Sequence, residues 1–134
     1  MKKMTLVVTL LMFALLVTLN CSRKPKPILE EEEMLKLLTK MQNGIEAKIS
    51  YTDFAKLVIE SKNMLELLKK AENKNTCFFN AVNKCYTSFE ISKKAWKLIE
   101  DALTEKRRID MDTTLSFSLG FAAVSLAKAN ECFK

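Results

Sequence analysis

Positions Thr5 to Leu19 form an unbroken apolar run led by Lys2 and Lys3, and behind it the chain turns polar at Asn20 and stays mixed to its end. From Pro27 onward, apolar positions recur at helical spacing in four segments. The first carries Met34, Leu37, Leu38, Met41 and Ile45, with Pro27 in its first turn, Glu30 to Glu33 at the positive end of its dipole, and Asn43-Gly44 as a stop. The second opens on Ser50 as N-cap with Asp53 three residues on, a capping box, while Ile49 and Phe54 occupy the positions of a hydrophobic staple. Phe54, Leu57, Val58, Ser61, Met64, Leu65 and Leu68 then trace one stripe at the 3.6-residue period, ending near Asn73.

A third helix is predicted from Asn75 or Thr76 to about Lys106, with Phe78, Val82, Cys85, Phe89, Trp96, Ile99 and Leu103 on one side. Lys106, Arg107 and Arg108 read as cations at its C-terminal end. Asp112 or Thr113 then caps a fourth helix carrying Leu115, Leu119, Ala122, Leu126, Ala129 and Phe133. Its small residues Ser118, Ala122, Ser125, Ala129 and Cys132 suit close approach by a neighbour, with Trp96 packed over the gap. Short connections between amphipathic segments predict an all-α fold, an antiparallel three- to four-helix bundle over residues 28–134.

The apolar run is too short for a spanning helix, which needs about 20 apolar residues, and fits the core of an export signal over residues 1–20. Val17-Thr18-Leu19-Asn20-Cys21 resembles the lipid-attachment junction of bacterial lipoprotein precursors, with Thr18 and Asn20 standing where that family prefers Leu and a small residue. The resemblance implies diacylglyceryl transfer to the Cys21 thiol, cleavage just before it, and acylation of the new amine. An uncleaved N-terminal anchor and ordinary secretion are the other readings of the same run. Residues 21–27 then form a tether whose extended reach is about 20–25 Å at 3.3 to 3.6 Å per residue, which holds the body close to a bilayer. The body resembles uncharacterised bacterial helical proteins that open a helix on Ile-Ser-Tyr and carry a Trp on the third helix. The carriers here are Ile49-Ser50-Tyr51, Asp53-Phe54 and Trp96, and that resemblance implies no activity.

Composition narrows the chemistry more than the fold. The 134 residues include only two Gly and two Pro, which disfavours a turn-rich β fold. The formal net charge is +6, of which Lys2 and Lys3 supply two, and the remaining charge is interleaved Lys and Glu, an ordinary solvated surface with no nucleic-acid footprint. No histidine is present, which removes imidazole bases, Ser-His and Cys-His nucleophile pairs and His-containing zinc sites. Asp110-Met111-Asp112 lacks the remaining ligands and the glycine of a calcium loop, and adjacent Glu100 and Asp101 point to different parts of a helix. The expectation is a non-enzyme without cofactor or metal.

With Cys21 lipidated, Cys77, Cys85 and Cys132 remain in an oxidising compartment. Two cysteines eight residues apart on one helix stand about 12 Å apart at 1.5 Å per residue, too far for a bridge. A hairpin of the third and fourth helices turning near residue 109 or 110 brings Cys85 level with Cys132, the preferred disulfide, with Cys77 to Cys132 and no bridge as the alternatives. The functional expectation is a cell-envelope lipoprotein, bound to the membrane through lipid on Cys21, with a structural or protein-interaction role and an envelope protein as partner. The alternative is a bundle holding a small apolar ligand or lipid among Phe78, Phe89, Trp96, Phe117 and Phe121.

Overall fold

The structure is a computed structural model that describes residues 26–101 and 105–134. The export segment, Cys21 and most of the tether lie outside these residues. The described chain is all-α: α1 spans Leu29–Glu46, α2 Tyr51–Lys70, α3 Thr76–Glu100 and α4 Glu105–Glu131.

Helices α3 and α4 form the most extensive pairing, α2 packs on both α1 and α3, and α1 completes the bundle against α3 and α4. The start of α1, the start of α3 and the end of α4 share one end of the molecule, since the Glu31 carboxylate accepts the Asn75 N–H and the Asn75 side chain donates to the Cys132 carbonyl. Trp96, late in α3, meets Tyr51 and Phe54 at the start of α2, with ring centroids 6.0 and 5.5 Å apart. The helices therefore run up, down, up, down.

The core is built from the stripes read in the sequence. Met34, Leu38 and Met41 from α1, Phe54, Val58 and Leu68 from α2, Phe78, Val82, Cys85 and Phe89 from α3, and Ala122 and Ala129 from α4 have no exposed surface. Ser50 caps α2 as expected: its hydroxyl accepts the Asp53 N–H at 3.1 Å and donates to the Asp53 carboxylate at 2.8 Å. Asn75 caps α3, its side-chain oxygen accepting from Phe78 N–H.

Several boundaries differ from the sequence reading. Pro27 lies before α1, whose N-cap is Ile28. Helix α1 runs through Gly44 rather than stopping there, because Ile49 packs over it: a Cβ at Gly44 would meet Ile49 Cδ1 at 2.9 Å. The left-handed residue of this turn is Lys48, at φ 57°. Within the acidic run, Glu31 is not solvated. It is buried, and it accepts the N–H of Ile28 as well as that of Asn75.

The largest difference concerns the α3–α4 connection. Helix α3 ends at Glu100 and α4 begins at Glu105, so Lys106, Arg107 and Arg108 lie in the first turn of α4, and Asp112 and Thr113 lie inside that helix rather than at its cap. Cations at a helix start oppose the dipole by roughly 0.3–1 kcal/mol each at an exposed site. Interhelical packing outweighs this cost.

Candidate functional site

The earlier turn shifts the whole α3–α4 register and with it the cysteine pairing. Cys77 lies at the start of α3 and Cys132 just past the end of α4, at the same end of the hairpin. Their Cα atoms are 5.8 Å apart and the two form the disulfide. The expected Cys85–Cys132 bridge is not formed. Cys85 faces the middle of α4 instead, where its thiol donates to the Ala122 carbonyl at 3.3 Å. Burial pushes that thiol up to about 12, so it stays protonated and unreactive near neutral pH.

Small residues allow the α3–α4 contact to be this close. Ala122 and Ala129 are fully buried against α3, and the hydroxyls of Ser92 and Ser118 stand 2.7 Å apart across the interface. Trp96 packs against Tyr51 and Phe54 at the start of α2, so the residues behind the weaker family resemblance converge in space.

No group of three or more potential metal ligands occurs among the described residues. Asp101 pairs with Lys97 at 3.4 Å, and Asp110 and Asp112 sit on the α4 helix rather than in a loop. On the outer side of α3, burial works to raise the Glu90 carboxyl, but hydrogen bonds and charge from Lys93, Tyr86 and Lys94 outweigh it and hold the group below the usual range. Burial, then the Glu90 charge and hydrogen bond, push Tyr86 up to about 12. This is a polar cluster of Tyr86, Glu90, Lys93 and Lys94 along one helix.

The aromatic set expected to enclose a ligand is divided. Phe78 and Phe89 are core residues, whereas Phe117 and Phe121 point outward and are 69% and 54% exposed. Their rings meet edge to face at 5.0 Å and form a ridge on α4, extended by Val124, which is also 69% exposed. An open groove of about 400 Å³ runs along one flank of the ridge, floored by Ser88, Ile91 and Thr114. A second, of about 350 Å³, runs along the other, beside Ser116 and Gly120. Helix α4 is thus apolar on two faces, one against α3 and one against solvent.

The sequence carries a signal for this outer face: Phe117, Phe121 and Val124 recur at spacings of four and three, a second helical stripe beside the buried Ser118, Ala122 and Leu126. Contiguous apolar patches of this kind on a small protein mark interaction sites, whereas single exposed apolar residues do not. No helix among the described residues is long and apolar enough to cross a membrane. Compared with known protein families, with characterised proteins and with solved structures, the chain matches none of them.

Proposed function

We propose that this chain is a cell-envelope lipoprotein, held on a membrane through lipid on Cys21, whose helical body presents α4 as a protein-interaction surface. The outward ridge of Phe117, Phe121 and Val124 carries the reading, because exposing two large aromatics and a valine side by side stabilises nothing within the bundle. The residues between Cys21 and α1 are few, so a lipid on Cys21 keeps the disulfide-closed end of the bundle near the bilayer. Two or three acyl chains, at about 0.8 kcal/mol per buried methylene, make such attachment effectively permanent.

Two measurements test the two halves of this reading. Intact mass spectrometry of membrane-fraction protein is expected to give a chain starting at Cys21 with added acyl mass; an intact Met1 without acyl mass overturns the anchor. A photo-reactive residue in place of Phe121 is expected to give discrete protein adducts in the envelope, absent when the same residue replaces the exposed Leu67 of α2. Equal labelling at the two positions overturns the α4 surface.

A further inference from the structure

We infer that the α4 ridge is a self-association surface, on which a second copy of this chain docks antiparallel. The inference rests on the reading of α4 as an interaction surface and names its partner. The exposed face of α4 carries, in order along one stripe, Asp110, Thr114, Phe117, Phe121, Val124 and Lys128. Asp110, Phe117 and Val124 are spaced by sevens, and so are Thr114, Phe121 and Lys128, the two interleaved seams of a heptad pattern.

Reversing one helix against another exchanges the two seams. With a two-fold axis at the level of Leu119, residues equidistant from it meet across the pair. Phe117 then faces Phe121 of the second copy, and Asp110 faces Lys128 of the second copy, each contact occurring twice by symmetry. Both charged residues are exposed, and neither makes an ion pair among the described residues. The aromatic ridge and the groove beside it, with Ile91 on its floor, supply a knob and a hole on the same surface, as an isologous contact requires.

Charge selects this arrangement over its rivals. A parallel, in-register pair would set Asp110 against Asp110 and Lys128 against Lys128. An anionic lipid surface would meet an acidic residue at one end of the ridge, and the stripe from Asp110 to Lys128 holds one cation and one anion, without the surplus of Lys and Arg that membrane-surface helices carry. From Asp110 to Lys128 the seam is about 27 Å long at 1.5 Å per residue. At about 10 Å wide it covers on the order of 300 Å² per copy, well below the roughly 800 Å² of a standard stable interface. Pairing is therefore weak, and because the antiparallel register sets the two disulfide-closed ends at opposite ends of the seam, copies anchored on one membrane pair with α4 lying along its surface.

The test is sedimentation velocity of the full chain in mild detergent at low salt, over a wide range of protein concentration. The wild type is expected to shift from monomer to dimer as concentration rises, and Phe121→Glu to abolish the shift. Asp110→Lys and Lys128→Asp are each expected to weaken pairing about tenfold or more, since each sets like charges face to face twice. The double variant D110K/K128D is expected to recover it, because opposite charges meet again. All three positions are exposed, so circular dichroism should be unchanged in every variant; association through the apolar N-terminal segment would not respond to the swaps. A wild type that stays monomeric at every concentration overturns self-association while leaving α4 free to bind a different protein. A double variant no better than the singles overturns the antiparallel register, and loss of binding to anionic vesicles by Phe121→Glu from a monomeric wild type assigns the ridge to lipid instead.

Discussion

The Glu31 carboxylate accepts the backbone N–H of Asn75, 44 residues away, while its second oxygen accepts the N–H of Ile28 at 3.0 Å. One buried side chain thus satisfies a free N–H at the start of two helices, α1 and α3, and fixes their relative height. Helix starts leave four such donors without intrahelical partners, and a buried donor left unpaired costs roughly 1–3 kcal/mol. Glu31→Ala is therefore expected to lower stability by about 2–4 kcal/mol. The check is thermal unfolding followed by the fluorescence of Trp96, the sole tryptophan. The neighbouring Glu32→Ala should move the midpoint little, and equal shifts for the two would remove the special role of Glu31.

Closing the 55-residue separation between Cys77 and Cys132 stabilises the fold by about 4 kcal/mol on the chain-entropy model. Cys77→Ser is expected to lose most of this. Peptide mapping without reductant should recover the Cys77–Cys132 pair and leave Cys85 as the alkylated residue once the chain is denatured. A Cys85–Cys132 peptide would show the register to be wrong.

Cys85 also sets an alkaline limit. Its thiol is raised from 9.0 to about 12 in the folded chain, so above pH 9 the unfolded state releases a proton that the folded state retains. Stability should be level in this respect below pH 9 and fall as pH rises from there toward 12, by up to about 1.4 kcal/mol per unit. Denaturant midpoints of the wild type and Cys85→Ala across that range provide the measurement. The slope should be shallower in the variant, and parallel slopes would count against a desolvated thiol.

Ala122 has no exposed surface and its carbonyl receives the Cys85 thiol. Adding three carbons with Ala122→Leu should force α3 and α4 apart and cost about 1–3 kcal/mol or more. Ala123→Leu, one position on and outside the buried set, should cost far less. Urea unfolding of the two variants separates them.

Lys48 occupies the left-handed region at φ 57°, where a side chain with a Cβ is disfavoured by roughly 1 kcal/mol. Lys48→Gly removes that strain but loosens the unfolded chain, so a gain of a few tenths to about 1 kcal/mol is expected. Gly44→Ala should fall short of the gain of about 1 kcal/mol that Ala ordinarily brings inside a helix, because its Cβ runs into Ile49. Paired melting curves decide both, and a destabilised Lys48→Gly would point to an unrecognised role for the lysine side chain.

The four helices, the Ser50 cap and nearly all of the α1 and α2 core could be read from spacing, because in each of these segments one apolar face matches one buried face. The α3–α4 turn could not. Lys106 to Arg108 look like a helix C-terminus, and the charge effect that supports that reading is a fraction of a kilocalorie per residue. The register is fixed by Ser92 against Ser118 and Cys85 against Ala122, contacts between residues 26 and 37 apart whose pairing no local pattern encodes. The cysteine pairing follows from the register, since a shift of the turn by a few residues exchanges Cys85 for Cys77 as the partner of Cys132. On the candidate surface, Phe117 and Phe121 were recognisable as aromatics, but their outward direction follows only from knowing which side of α4 meets α3.

The disulfide has a further consequence for the life of the protein on a surface. Cys77 and Cys132 bracket almost all of α3 and α4, including the connection between Glu100 and Glu105 at the opposite end of the bundle. A protease that cuts once anywhere inside this loop produces two fragments that remain covalently joined. Shedding of the α4 ridge then requires a reductant as well as a protease, and in an oxidising environment a nicked molecule keeps its outer face in place.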